Sequence, residues 1–170
     1  MKKEVHSRLA LRKLTTDDVE FMMELRNNPE TVRYIPWLIQ DAETMTAWVN
    51  SLKNTEHEFI VLIDGIVPIG ECSLSVAGDI AEIGIMLKPE YCGKGYGTEV
   101  MLMLEMIAKT LDLHKLTALT DTNNRTMVHI FEKLGFQMNA VACGLKMPEA
   151  DEQAEPERQW MALYEKTIST

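Results

Sequence analysis

Two groups of residues in this 170-residue chain have the types and spacing to do chemistry. The first is a glycine triplet, Gly93, Gly95 and Gly97, within "PEYCGKGYGTEVM". Glycine lets a backbone approach an anion closely. The triplet runs straight into a helical apolar pattern, where the first N–H groups lack intrahelical partners and the helix dipole adds positive charge. A pyrophosphate is the natural guest of such a loop. The spacing is neither a P-loop nor the G-x-G-x-x-G of dinucleotide folds. The second group is a set of carboxylates and hydroxyls just upstream, Glu71, Ser73, Ser75 and Glu82. Carboxylates next to an anion-binding loop can accept protons in a group transfer.

The geometry of this second group follows from a turn. "PIGECSLSVAGDIAEIGIMLKP" reads as two strands joined at Gly78-Asp79, a good two-residue hairpin turn. In that register Ser75 opposes Glu82, Ser73 opposes Gly84 and Glu71 opposes Met86. Alternation puts Cys72, Leu74, Val76, Ala81, Ile83 and Ile85 on an apolar core face. The other face carries Glu71, Ser73, Ser75, Glu82, Gly84 and Met86. Such a polar face either lines an acceptor cleft or meets solvent. On the first reading Glu82 is the expected general base and Glu71 the runner-up, with Glu71 and Ser73 as substrate contacts.

The elements that must hold these residues are legible in outline. "RLALRKL" reads as a strand, and Thr16 or Asp17 can cap a helix reaching about Asn27. Asp41 can cap a second helix, with Met45, Trp48, Val49 and Leu52 on one stripe. "EFIVLID" is a buried strand bounded by turn signals. After the glycine loop, Val100, Met103, Leu104, Ile107, Ala108 and Leu111 mark the buried face of a helix. "KLTALTD" is a strand. A helix follows with Met127, Ile130, Phe131 and Leu134 on one face, ended by Gly135. "FQMNAVACG" and "RQWMALYEKT" are the last strands, joined by the acidic stretch "MPEADEQAEPE". The order implies one α/β (α+β) domain over 1–170, with a mixed, mostly antiparallel twisted sheet flanked by helices.

Composition narrows the class. The formal net charge of −9 argues against a nucleic-acid binder. No apolar run is long enough to span a bilayer, and the N-terminus lacks a secretory h-region, so a cytoplasmic protein is expected. Cys72, Cys92 and Cys143 have no metal-type spacing and read as free thiols. No metal is expected.

With these motifs in view the chain resembles the GCN5-related N-acetyltransferases. Cys92-Gly93-Lys94-Gly95-Tyr96-Gly97 fits that family's Q/R-x-x-G-x-G/A acetyl-CoA loop except at its first position. A downstream N-x-x-x-x-x-x-F/Y-x-K-L-G-F element reads here as Asn124, Phe131, Lys133, Leu134, Gly135 and Phe136. The element order matches over nearly the whole chain, and "RNNPETVRYI" and "LKPEYCGKGYGTE" look most like the ribosomal-protein and spermidine acetyltransferase branch. The resemblance implies acetyl-CoA as co-substrate. Amides of Gly93, Lys94, Gly95, Tyr96, Gly97 and Thr98 would grip its pyrophosphate. Met86, Leu87 and Lys88 would run beside the pantetheine, with Asn124 near it and Phe131 near the sulfur. It also implies a glutamate such as Glu82 acting as base through water.

The chain departs from that pattern in two places. Relatives often carry a tyrosine acid where Phe131 stands, and phenylalanine has no proton to give. Tyr96 and Tyr164 are the alternative donors. Cys92 replaces the usual glutamine or arginine; without a histidine partner it is not expected to be a nucleophile. The acceptor is read as an amine: a polyamine, an aminosugar or a peptide N-terminus. Glu20, Glu24, Glu43 and the acidic stretch are the lining that would draw it. An exposed edge strand near the C-terminus would permit a homodimer. The competing reading is a non-catalytic acyl-CoA-binding regulatory module.

Overall fold

Leu9–Lys13 (β1), Glu56–Ile63 (β2), Val67–Ala77 (β3), Ile80–Leu87 (β4), Lys115–Asp121 (β5), Gln137–Lys146 (β6) and Glu157–Thr167 (β7) build one sheet. Its order is β1-β2-β3-β4-β5-β7-β6. Helices Val19–Arg26 (α1), Ala42–Ser51 (α2), Tyr96–Thr110 (α3) and Arg125–Lys133 (α4) flank it. The computed structural model describes residues 8–35, 41–146 and 157–168. Neighbouring strands are antiparallel except β4 and β5. This is the mixed, mostly antiparallel α/β sheet that the element order predicts.

Local sequence explains most boundaries. Gly78, at φ 66°, makes the β3–β4 turn, and the pairs Ser75↔Glu82, Ser73↔Gly84 and Glu71↔Met86 form as the alternation requires. Asp41 caps α2 by accepting from the Thr44 amide at 2.7 Å. The first helical segment differs from expectation. Thr15 rather than Thr16 or Asp17 is the cap, and it opens a 3-10 turn over Thr16–Asp18 before α1 begins. Asp18 bends back to the Thr15 amide at 2.9 Å and pairs with Arg12 of β1 at 2.6 Å, so the turn is pinned to the sheet.

Each face of the sheet has its own cover. Cys72, Leu74, Ala81 and Ile83 pack under Val100, Leu104 and Ala108 of α3 and Phe131 of α4. Leu74, Leu104 and Leu116 are fully buried there, each stabilising the fold by roughly 1.5–3 kcal/mol. On the opposite face Ile60 packs with Met22 of α1 and Met45 of α2. Leu25 and Val32 close over Met86. The polar face of the β3–β4 hairpin is therefore partly roofed by α1. The stripe of α3 is also shifted: Met101 is buried, whereas Leu111 lies past the helix end and is exposed.

The sheet is joined only in part between β4 and β5. β4 pairs with β3 along its whole length, from Ile80 to Leu87. It pairs with β5 only at Ile80↔Lys115, Ala81↔Leu116 and Glu82↔Thr117. From Ile83 onward the two parallel strands part, while β5 stays on β7 throughout. Among the described residues, one backbone edge of Ile83–Leu87 is left without a strand partner.

Candidate active site

The gap between β4 and β5 opens into a cleft of about 430 Å³. Its wall comes from both faces of the sheet. Met101, Met127 and Phe131 line it from the α3–α4 side, and Arg26, Glu58, Glu71, Ser73, Glu82 and Gly84 from the α1 side. The cleft thus passes through the sheet, with an apolar end and a carboxylate-rich end.

The glycine loop stands beyond the C-terminal end of β4. Gly93 and Gly95 have φ of 72° and 87°, a backbone that side chains with a Cβ rarely adopt. Gly95 is the N-cap of α3, so Tyr96, Gly97 and Thr98 form the first helical turn. These amides are the unpaired donors at the positive end of the helix. A Cβ on Gly93 or Gly95 would meet nothing within 4 Å, so space for a ligand remains above the loop. Lys94 lies over the Tyr91 ring at 5.5 Å. The loop suits a pyrophosphate, and the free edge of β4 suits the amides of a pantetheine arm, which could extend the sheet as a strand does.

The other expected cofactor residues occupy distinct places. Met86 lines the cleft and packs under α1. Leu87 packs against the α3–α4 core. Lys88 turns its side chain the other way, to Glu24 of α1 at 2.8 Å and over the Phe21 ring. Asn124 lines the cleft and caps α4, accepting from the Met127 amide at 3.2 Å. Phe131 is buried between Phe136 and Tyr164, with ring centroids 5.4 and 5.0 Å away, yet reaches the cleft wall.

The expected acceptor-side residues are brought together. Glu82, Ser73 and Glu71 share the cleft, but in different states. Glu82 is exposed. Glu71 is buried and tied to Arg26 by two hydrogen bonds of 2.8 and 2.9 Å. Burial pushes its carboxyl up and the guanidinium opposes that. Arg26 in turn stacks on the Trp48 ring at 4.4 Å. Gly84 matters by its size: a Cβ there would come within 2.8 Å of the Ser73 hydroxyl, closing the cleft between them.

Other expectations fare differently. Glu20, Glu24 and Glu43 are absent from the cleft wall, and Glu24 is occupied by Lys88. Of the acidic stretch over 147–157, residues 147–156 lie outside the described residues and Glu157 opens β7. Tyr96 and Tyr164 do not line the cleft either, and Tyr164 is buried in the core. Cys92 is not an activated thiol. Burial and the charges of Glu30 and Glu90 push it up. Among the described residues, no group of three or more His, Cys, Asp or Glu could hold a metal ion.

Three cleft residues were missed by sequence reasoning. Arg26 ends α1 in a charged segment and reads as a surface residue. Tyr34 belongs to the segment after α1, held in place where its carbonyl accepts from Gln159 Nε2 at 3.1 Å. Glu58 pairs with Ser73 across β2–β3 and points to the same cleft. Burial, then the charge on Glu71, push its carboxyl up to about 8, while Arg26 pulls it down. The only signal was alternation: Glu56, Glu58 and Ile60 share one face of β2.

Comparison with known proteins agrees with this geometry. Residues 8–137 match the model of the acetyltransferase (GNAT) domain family. A spermidine N(1)-acetyltransferase of Escherichia coli (strain K12) is 30% identical over 138 residues, covering 75% of this chain and 72% of that one. A spermidine N(1)-acetyltransferase of Vibrio cholerae is 28% identical over 143 residues, covering 78% and 80%. Among solved structures, a Vibrio cholerae spermidine N-acetyltransferase in complex with CoA and spermine superposes with a TM-score of 0.82 at 23% identity, over 95% of this chain and 96% of that one.

Proposed function

The chain belongs to the GNAT acetyltransferase family and is an acetyl-CoA-dependent N-acetyltransferase, and from that premise we propose that its acceptor is a polyamine. The supporting observation is the acidic end of the cleft. Glu58, Glu71 and Glu82 converge there against the single guanidinium of Arg26, which Glu71 engages, so Glu82 and an ionisable Glu58 are left to meet a cation. The spermidine acetyltransferases among the relatives support the same choice.

The residues divide the work as follows. Amides from Gly93 to Thr98 hold the pyrophosphate, and the free edge of β4 orders the pantetheine arm. Acetyl-CoA supplies an activated thioester in the gap between the strands. An alkylamine is mostly protonated near neutrality. Glu82 takes the proton from the amine, directly or through a water. The amine nitrogen then bonds to the carbonyl carbon as the carbon–sulfur bond breaks; the nitrogen loses its second proton as the amide forms, and the departing thiolate takes up a proton to leave as coenzyme A. Phe131 walls the sulfur but donates no proton. Tyr34 is the tyrosine on the cleft wall, and a hydroxyl there can serve the leaving group.

A thiol-release assay with acetyl-CoA tests the acceptor. Spermidine, spermine and diamines are expected to release coenzyme A and gain one acetyl group by mass. Release with aminoglycosides or peptides but not with polyamines would overturn the choice.

A further inference from the structure

We propose that Glu58 anchors the second ammonium group of a diamine or polyamine acceptor, holding one end while the other end meets the thioester. The inference rests on the polyamine reading and names the residue that would set its specificity.

Glu58 is the half-buried carboxyl group of the cleft that no ion pair holds. Glu71 has both oxygens on Arg26. The guanidinium is further fixed over Trp48. Glu58 is half-buried on the cleft wall, and its carboxyl group receives no hydrogen bond or ion pair from the described residues. The charged and titratable groups around it are Arg26 from α1, Tyr34 from the segment after α1, Glu56 on its own strand, Glu71 and the Cys72 thiol from β3, and Glu82 from β4. With every carboxylate ionised this set carries an excess of negative charge. An ammonium ion supplies both the missing charge and the hydrogen-bond donors.

Position agrees with that role. Glu58, Ser73 and Gly84 form one row across β2, β3 and β4. Glu82 lies two strands across from Glu58 and two residues along, about 12 Å between Cα atoms. Both side chains reach into the same cleft. A flexible aliphatic diamine can therefore place one nitrogen at Glu58 and the other near Glu82, where the acetyl group arrives.

The anchor carries a proton signature. In the free cleft Glu58 titrates near 8, so at neutral pH it is mostly protonated. A bound ammonium favours the ionised form, so binding expels that proton. The carboxyl is raised in the free protein and returns toward its ordinary value in the complex. Affinity for a diamine therefore rises with pH between those two values, by up to about tenfold per pH unit, and levels off above about 8.

Calorimetry on the full chain saturated with coenzyme A reads this without any acetyl transfer. The probes are 1,4-diaminobutane and 1-aminobutane, each titrated from pH 6 to 8.5 in two buffers of different ionisation enthalpy. Expected for the diamine are a roughly tenfold affinity gain from pH 6.5 to 7.5 and release approaching one proton; the monoamine binds more weakly and releases none. Glu58→Gln is expected to erase both the diamine preference and the pH dependence. Diamine binding that is flat in pH and releases no proton overturns the proposal, and this wild-type result stands even where the variant misfolds. Retention of the pH dependence in a folded Glu58→Gln protein overturns it too. Thiol release, measured alongside, keeps the two readings apart. Diamine binding with proton release but no turnover would sink the acceptor reading and leave the anchor. Equal turnover of monoamine and diamine with no proton release would sink the anchor and leave the transferase.

Discussion

Arg26, the last residue of α1, holds both carboxylate oxygens of Glu71 on β3, at 2.8 and 2.9 Å. The pair is almost wholly shielded from water. It ties the helix roof to the middle of the sheet and takes Glu71 out of the reach of an acceptor. Removing one partner leaves an unanswered charge inside. Glu71→Ala is expected to lower stability by roughly 3–5 kcal/mol, read as a fall in the urea midpoint. The double change Arg26→Met with Glu71→Leu is expected to recover most of that loss, because it buries no charge. A single variant as stable as the wild type would show that the pair is not structural.

Glu82 is exposed in the cleft and has no such partner to lose. Glu82→Gln keeps the shape and removes the proton acceptor. The expected result is a fall in kcat of roughly 10²–10⁴ with acetyl-CoA binding nearly intact by calorimetry. The pH–rate profile should change with it; an unchanged profile would assign the base elsewhere, and Glu58 would be the next candidate.

The glycine loop is a matter of backbone conformation rather than of room. Gly95 caps α3 at φ 87°, and a Cβ there touches nothing. Gly95→Ala is expected to cost about 1–2 kcal/mol through the left-handed backbone alone. Relief of that strain would turn the first amides of α3 away, so coenzyme A affinity should fall as well. Thermal unfolding and calorimetry with coenzyme A check the two effects separately.

Cys92 takes the place where related loops carry glutamine or arginine, and its thiol is held up rather than activated. Cys92→Gln is expected to bind acetyl-CoA as well as the wild type or better, with turnover preserved. Loss of turnover without loss of binding would give the thiol a role in the reaction.

The legible and illegible parts of this site differ in the range of the interactions that set them. The β3–β4 register was readable because one turn, Gly78-Asp79, fixes every opposing pair, and so Glu71, Ser73 and Glu82 could be placed on one face. The loop was readable because glycine spacing before an apolar helix is a local code. Glu58 was not readable. Its burial depends on α1 folding back over β2 and β3, a contact between distant segments that no periodicity announces. Arg26 was hidden for the converse reason: a charge at a helix end looks solvated until its carboxylate partner, far along the chain, is known. Thr15 displaced Thr16 and Asp17 as the cap because Asp18 reaches back to its amide while holding Arg12, a bond to another element.

The parting of β4 from β5 has a mechanical side. The two halves of the sheet meet along only three residue pairs, so the joint is short where a sheet is normally stitched from end to end. A pantetheine arm laid along Ile83–Leu87 would act as the absent strand, and the co-substrate would then be a structural member for as long as it stays. Loading the enzyme and bracing it become one event. Each product release would then loosen the joint again, and the stiffness of the protein would follow its catalytic cycle.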